Sequence, residues 1–189
     1  MSQSHNQKFY EESIQSYGIS AQGVHWNSEF SQYKRFEILT EFIRDDISTS
    51  TLIDVGCGMG EYYNYLMDEN LKSKKYLGID CESKMIDIAT KRYPKADFIL
   101  QNVLTDDLLS ADYYVCSGAM NILDVNEFYL FILNCYEKCE KGFVFNFLKK
   151  DSYTKVYKEE ILILCHKISN NVQSKDNYLD NDFSIFISK

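Results

Sequence analysis

The sequence is poor in the features that mark secreted, membrane and disulfide-rich proteins. It has one proline, Pro94, in 189 residues, and its six cysteines form no Cys-x-x-Cys pair. No apolar run approaches the roughly 20 residues of a membrane-spanning helix, and the first residues lack the apolar core of a signal peptide. Cys135 and Cys139 have helical spacing, which is more often a packing pattern than a metal pair. We therefore predict a reduced, cytoplasmic protein without a membrane span or a metal site.

Positive charge is also scarce. The chain has 20 Lys and Arg against 28 Asp and Glu, for a net charge of −8, and one short basic cluster at residues 72–75. A nucleic-acid-binding protein usually presents a basic face to the phosphate backbone. The composition therefore disfavours a nucleic-acid partner and favours a small-molecule or protein substrate; it predicts no oligomeric state.

The composition is that of an ordinary globular protein, with 45% hydrophobic and 25% charged residues. A chain of this length suits one structural domain with a core of its own. Since proline is so rare, boundaries rest on pattern alone. The pattern predicts a helical N-terminal arm or lid over residues 1–50 and a ligand-binding body over residues 51–189.

The most informative segment is Leu-Ile-Asp-Val-Gly-Cys-Gly-Met-Gly at residues 52–60. A short apolar run of this kind is typical of a buried parallel strand, and alternate glycines allow a tight turn where the backbone meets a ligand. Residues 61–67 are compatible with a helix that has Tyr62, Tyr63, Leu66 and Met67 on one side. The segment therefore predicts the first strand, turn and helix of a nucleotide-binding doubly wound sheet.

The glycine spacing speaks against a dinucleotide. The G-x-G-x-x-G fingerprint places a diphosphate on the start of the helix. In the frame that begins at Gly56, the third glycine is replaced by Glu61. A carboxylate there repels a diphosphate, so a nicotinamide oxidoreductase is disfavoured.

The remaining elements follow the order of a doubly wound sheet. A second strand over residues 75–80 ends in Asp80, 24 positions after Gly56, where an acid can bind ribose hydroxyls. Further strands are predicted over 96–103, 111–118 and 142–147, with helices over 124–140 and 157–169. The last two strands, over 172–178 and 182–188, are joined by a short turn and predict an antiparallel terminal hairpin.

These motifs resemble those of class I S-adenosylmethionine (SAM)-dependent methyltransferases. The D-x-G-x-G-x-G pattern that begins at Asp54 is similar to their first motif, and YLGIDCESKMIDIATKRYP at residues 76–94 looks like their second. The arm and the terminal segment look like those of uncharacterised bacterial members of the small-molecule type. The resemblance implies an α/β, Rossmann-like, seven-stranded and mostly parallel sheet, with SAM as cofactor and S-adenosylhomocysteine (SAH) as product. SAM carries a sulfonium cation and no phosphate, which makes Glu61 tolerable.

The resemblance also implies which residues contact the cofactor. Asp80 would bind both ribose hydroxyls, and Cys81, with Met85 as a weaker candidate, would lie against the adenine. Asn102 replaces the aspartate of many members and can still accept a bond from the adenine amine. Cys57 is either a reactive thiol or a small buried turn residue. The full set of expected cofactor contacts is Asp54, Gly56, Cys57, Gly58, Gly60, Asp80, Cys81, Met85, Asn102, Val103, Ser117 and Gly118.

The segment after the fourth predicted strand narrows the class of molecule that accepts the methyl group. Residues 116–121, Cys-Ser-Gly-Ala-Met-Asn, lack the prolines of the motif that amino-group methylases of adenine and glutamine carry there. There is no Pro-Cys nucleophile of the pyrimidine-carbon methylases either. We expect a small-molecule acceptor with an oxygen or nitrogen nucleophile. The alternatives are a protein or RNA methyltransferase and a non-catalytic SAM-binding protein.

Substrate choice is expected to lie in the arm. Asn27 or Ser28 can cap a helix that runs to about Ile47, and one stripe of this helix comprises residues 28, 32, 35, 39 and 43. The stripe is polar at Ser28, Gln32 and Arg35, and apolar further on. Polar groups on a stripe that turns toward the core suggest a wet substrate pocket.

Individual arm residues leave alternatives open. Arg35 suits a substrate carboxylate, or it pairs with a carboxylate on the domain body. His25 is a candidate base or a structural residue, and Trp26 part of a lid or a packing anchor. Tyr10 is a further candidate for the lid over the cofactor.

Overall fold

The computed structural model of the protein describes residues 29–150 and 152–189. Its strands are β1 (Thr51–Val55), β2 (Lys75–Asp80), β3 (Asp97–Leu100), β4 (Ala111–Ser117), β5 (Cys139–Leu148), β6 (Asn171–Asp176) and β7 (Asp182–Ser188). Its helices are α1 (Glu29–Glu41), α2 (Glu61–Asp68), α3 (Ser83–Arg92), α4 (Val125–Lys138) and α5 (Lys158–Ile168), with short 3-10 turns at Ile47–Thr49 and Ala119–Ile122.

All seven strands belong to one sheet with the order β3-β2-β1-β4-β5-β7-β6. Strands β1 to β5 run parallel to one another, whereas β7 runs antiparallel to both β5 and β6. This confirms the predicted mostly parallel sheet with an antiparallel terminal hairpin. The strand order reverses between β1 and β4, and a ligand of such a sheet binds at that point, outside the carboxyl ends of the strands.

Each face of the sheet packs against helices. On one face, α1 and α2 bury Phe36, Leu39, Tyr62 and Leu66 against the sheet. On the other face, α4 and α5 supply most of the helical side chains of a second, larger apolar cluster. The two-sided burial explains the apolar runs at residues 113–116 of β4 and, apart from Asn146, at residues 143–148 of β5.

Two predicted features differ in the structure. Helix α1 ends at Glu41 rather than near Ile47, because the chain turns over residues 42–46. Ile43 is nevertheless fully buried, so the apolar end of the predicted stripe still packs in the core. In α2, Tyr65 is buried, while Tyr63 and Met67 are only partly so, because the helix turns a different side toward α1 and the sheet.

Candidate functional site

The glycine turn after β1 is shaped by three positive φ angles. Gly56, Gly58 and Gly60 have φ values of 70°, 53° and 84°, which side chains with a Cβ rarely adopt. A Cβ at Gly56 would lie 2.3 Å from the Cβ of Ala119, whereas one at Gly58 would meet nothing within 4 Å. Gly56 is thus needed for packing, while Gly58 opens onto a cleft and lets a ligand approach the backbone.

Asp80 lies at the carboxyl end of β2, beside this turn. Its carboxylate accepts hydrogen bonds from the backbone N–H groups of Gly58 and Glu82, each at 2.9 Å. Burial raises the pKa of Asp80, and the backbone N–H groups oppose that shift. These bonds, with a further one from the backbone of Cys81, fix the carboxylate in the wall of the cleft, and its two oxygens together still have a lone pair for a ligand.

Asp54 is the second carboxylate of the turn and is almost fully buried. It accepts a hydrogen bond of 2.7 Å from the hydroxyl of Tyr76 on β2. Burial raises the pKa of Asp54 to about 7, and the charge of Asp80 adds to the rise. Asp54 therefore changes its charge near neutral pH, in contrast to an exposed aspartate.

At the start of α2, the carboxylate of Glu61 is paired with a positively charged side chain. Glu61 forms an ion pair with Arg92 of α3, and Arg92 also donates to the carbonyl of Met59 at 3.0 Å. Arg92 itself does not line the cleft. The helix start thus presents a carboxylate and no cation to a ligand, which suits a sulfonium compound better than a diphosphate.

The turn after β3 is held by Asn102. Its side-chain oxygen accepts from the N–H of Leu104 at 2.9 Å, and its own N–H donates to Asp106 at 2.8 Å. One lone pair of the Asn102 oxygen is therefore used inside the turn. The other is available for the adenine contact that the sequence predicts.

The segment after β4 begins with Ser117 and Gly118. Gly118 has a φ of 82° and starts the 3-10 turn. Ser117 is 9% exposed, and its hydroxyl has no hydrogen-bond partner among the described residues. A buried hydroxyl of this kind at a cleft indicates a ligand contact.

These groups line one continuous cleft with a volume of about 210 Å³. It runs past the glycine turn, Asp80, the β3 turn and Ser117, and reaches α1 at Gln32 and Phe36. Five carboxylic side chains line it, and no Lys or Arg of the described residues does. The acids are Asp54, Glu61, Asp80, Glu82 and Glu127.

The predicted cofactor residues all lie along this cleft except Gly60, which lies just behind its wall. A Cβ at Gly60 would come within 2.8 Å of the ring of Tyr93. Cys57 is buried, and burial raises the pKa of its thiol, which favours the small turn residue over the reactive thiol. Cys81 is exposed at the rim.

The structure places the predicted arm residues differently with respect to the cleft. Gln32 lines the cleft, whereas Arg35 does not: its guanidinium binds Asp182 of β7 through two hydrogen bonds of 2.5 and 3.1 Å. The structure thus gives Arg35 the partner on the domain body that the sequence left open. Tyr10, His25, Trp26 and Ser28 lie outside the described residues, so their predicted roles stay predictions.

Sequence reasoning missed several lining residues, among them Phe36, Glu82, Glu127 and Phe131. Phe36 lies one position after the predicted polar stripe. Glu127 is placed by the capping box of α4, in which its carboxylate accepts from the N–H of Asp124 at 2.9 Å. That Asp-x-x-Glu spacing is legible in the sequence and gives the helix start, but it does not reveal that the helix start faces the cleft.

Within residues 29–150 and 152–189, no group of three His, Cys, Asp or Glu side chains could hold a metal ion. In the same residues, no helix has the length and apolar character needed to cross a membrane.

The chain was compared with known proteins. Residues 52–142 match a family model described as a methyltransferase domain. A protein of Invertebrate iridescent virus 6 described as a methyltransferase is 36% identical over 61 residues. That match covers 32% of this chain, which spans only 23% of the relative's length.

Solved structures with the same fold include three methyltransferases. N-methyltransferase NodS from Bradyrhizobium japonicum, in complex with SAH, has a TM-score of 0.73 at 14% identity, covering 96% of this chain and 97% of its own. A TehB-like SAM-dependent methyltransferase from Corynebacterium glutamicum has a TM-score of 0.69 at 15% identity, covering 99% and 100%. Magnesium protoporphyrin IX methyltransferase from Synechocystis, with bound SAM, has a TM-score of 0.68 at 13% identity, covering 84% and 79%. At these identities the likeness shows the fold.

The sheet order, the glycine turn and the carboxylate at the end of β2 define a nucleotide-cofactor-binding α/β protein of the methyltransferase topology. Residues 52–142 match the methyltransferase-domain family, and the chain has the fold of the class I SAM-dependent methyltransferases. The cofactor of this family is SAM, and the described site fits it. The open space at Gly58 admits the ligand to the backbone, Asp80 can take its ribose, and the acidic lining suits its positive charge.

Proposed function

We propose that this chain transfers the methyl group of SAM to an oxygen or nitrogen atom of a small molecule. The observation that carries the proposal is the continuity of the cleft. One part is built from the glycine turn and Asp80, and the same cleft extends to Gln32 and Phe36 of α1, which cover a second region beside Ser117. A single cleft of about 210 Å³ that reaches α1 suits a small molecule better than a protein segment or an RNA chain.

The chemistry asks mainly for alignment of the two reactants. SAM supplies a methyl carbon on a sulfonium; the lone pair of the acceptor forms the new bond as the carbon–sulfur bond breaks, and sulfur keeps that electron pair. Asp80 and the glycine turn hold the donor, while Phe36 and Phe131 help to exclude water. A base is needed only for an acceptor that arrives protonated, and the sequence offers His25 for that role.

Two further observations support this proposal. Magnesium protoporphyrin IX, after which one structural neighbour is named, is a small molecule. The cleft lining contains no Lys or Arg among the described residues, which disfavours the RNA alternative.

All six cysteines are free, in keeping with the proposed reduced, cytoplasmic location.

The first test is calorimetric titration with SAM, SAH and NAD. We expect SAM and SAH to bind and NAD to bind weakly or not at all. Tighter binding of NAD would contradict the cofactor assignment. A protein that binds SAM and SAH but transfers no methyl label from SAM to any component of a cell extract would be the non-catalytic alternative.

The second test supplies methyl-labelled SAM and a cell extract. After the reaction the extract is separated by size, and we expect the label in the low-molecular-mass fraction. The Asp80→Ala variant is the matched control, because it should lose the labelled product together with cofactor binding. Label in protein or RNA instead would favour the corresponding alternative acceptor.

A further inference from the structure

Two buried polar side chains stand next to each other on β4 and β5: Ser117 lines the cleft, and Asn146 lies beside it, behind the lining. Ser117 of β4 is in register with Asn146 of β5, so both side chains rise from the same face of the sheet. Ser117 is 9% exposed and Asn146 is fully buried. Neither the hydroxyl oxygen of Ser117 nor the side-chain oxygen of Asn146 has a hydrogen-bond partner among the described residues.

The orientation of the Asn146 amide is fixed by its neighbour. Its NH₂ group donates to the carboxylate of Asp182 at 3.2 Å, which an amide oxygen could not do. The Asn146 oxygen is therefore the group that remains to accept a bond. Because adjacent strands lie about 4.8 Å apart, one N–H-bearing group placed between them can reach both Ser117 and Asn146.

Such groups are costly in a protein interior. A buried polar atom without a partner destabilises the folded state by about 1–3 kcal/mol, and most such atoms in native proteins are satisfied. Ser117 lines the cleft, and so does the amide of Gln32 on α1, the helix that packs on β4 and β5. A ligand in the cleft that brings hydrogen-bond donors would remove the penalty at Ser117, and also at Asn146 if it reaches between the two strands.

The charge of the cleft narrows the ligand further. Five carboxylic side chains and no described Lys or Arg line it, and the cation of the α1 stripe, Arg35, is neutralised by Asp182. Glu61 is paired with Arg92 and the pKa of Asp54 is about 7, so the lining carries less than its full negative charge. It still offers no described cation to bind a carboxylate or phosphate, whereas a neutral or positively charged acceptor needs none.

We propose that Gln32, Ser117 and Asn146 form the acceptor subsite, and that it takes an amine whose N–H groups donate to the oxygens of Ser117 and Asn146. This inference rests on the proposed function. The proposed function leaves an oxygen and a nitrogen acceptor open, and this inference selects nitrogen. It also replaces the substrate carboxylate that Arg35 suggested in the sequence.

The experiment compares two probes of nearly the same shape on the SAH-saturated protein, 2-phenylethylamine and phenylacetate. We expect the amine to bind with a dissociation constant near 1 mM or tighter, at least tenfold tighter than the carboxylate, by ligand-observed NMR titration. The amine, and not the carboxylate, should also acquire label from methyl-labelled SAM. The lone pair of the neutral amine forms the bond to the methyl carbon, sulfur keeps the electrons of the bond that breaks, and the new N-methylammonium group releases its proton to water. Equal or tighter binding of phenylacetate, or no binding of either probe up to about 10 mM, would overturn the proposal.

Three variants test the named residues. Asn146→Leu and Ser117→Ala each remove one acceptor and should weaken amine binding about tenfold. Because Asn146 does not line the cleft, Asn146→Leu should leave the SAH dissociation constant within about twofold. Ser117→Ala keeps the backbone and serves if Asn146→Leu does not fold. Thr40→Val is the matched control, because Thr40 is a buried polar residue of α1 that bonds Tyr62 at 2.9 Å and does not line the cleft. It should bind the amine as the unaltered protein does.

The outcomes separate the two proposals. If the unaltered protein fails to bind SAH, the proposed function itself is contradicted. If SAH binds normally but Asn146→Leu and Ser117→Ala both bind the amine like the unaltered protein, only the acceptor subsite is wrong.

Discussion

Replacing Asp182 with Asn should destabilise this protein more than almost any other single polar substitution. The Arg35 and Asp182 side chains are only 6% and 3% exposed, and two hydrogen bonds join them. Removal of one partner from a buried ion pair costs about 3–5 kcal/mol, because the other charge stays in a poorly solvated place. In a domain of this size, each kcal/mol lowers Tm by about 2–4 °C. We therefore expect Asp182→Asn to lower Tm by about 6–20 °C.

The assay is urea unfolding together with calorimetry, and two further variants are measured beside Asp182→Asn. Lys175→Met is the control, because it removes an exposed ion pair with Glu41 that also joins the hairpin to α1; it should cost less than about 1 kcal/mol. The double variant Arg35→Met with Asp182→Leu replaces the buried pair by apolar groups and should recover part of the loss; recovery stays incomplete because the NH₂ group of Asn146 loses its acceptor. A loss below about 1 kcal/mol for Asp182→Asn, or a double variant no more stable than Asp182→Asn alone, would refute this reasoning.

Three further predictions concern the cofactor half of the site. Asp80→Asn should weaken SAM binding about ten- to hundredfold in calorimetric titration, since it removes charge-assisted bonds to the ribose; an unchanged dissociation constant would remove Asp80 from that role. Gly58→Ala should impair SAM binding with a small loss of Tm, whereas Gly60→Ala should lower Tm more, because its Cβ would lie 2.8 Å from the Tyr93 ring; the reverse order in a thermal melt would contradict the turn geometry. Because the pKa of Asp54 is about 7 when folded and about 4 when unfolded, the folded state holds the extra proton, so stability should fall as pH rises from about 4 to 7. Asp54→Asn should abolish that part of the pH dependence in urea unfolding at pH 5 and 8, and an identical dependence in the variant would contradict the raised pKa.

The fold was predictable because its signals are local. The glycine turn, the acid at the end of β2 and the short turn before β7 each lie within a few residues, and the structure places them as predicted. The end of α1 was not predictable in this way. Ile43 continues the apolar spacing of the helix, and its burial in the core requires only that its side chain reach the sheet, not that the backbone stay helical.

The acceptor half of the site depends on contacts that a local pattern does not contain. Arg35 and Gln32 lie on the same stripe of α1, yet one binds a carboxylate 147 positions away and the other lines the cleft. Asn146 did leave a signal, since it is the polar residue in the apolar run Phe-Val-Phe-Asn-Phe at residues 143–147. A lone amide in a buried strand indicates that something must bind it, although only the register with Ser117 shows where.

This difference follows from how the two halves of the cleft are built. The cofactor half consists of turns that directly follow β1, β2 and β3, so each contact is set by a short segment and a shared cofactor chemistry. The acceptor half forms where α1 crosses β4, β5 and β7, and the Arg35–Asp182 pair fixes that crossing. A change in α1 can therefore alter the acceptor without disturbing Asp80 or the glycine turn. Loss of the pair should accordingly impair amine binding before it impairs SAH binding, because Gln32 moves with α1 and Asp80 does not.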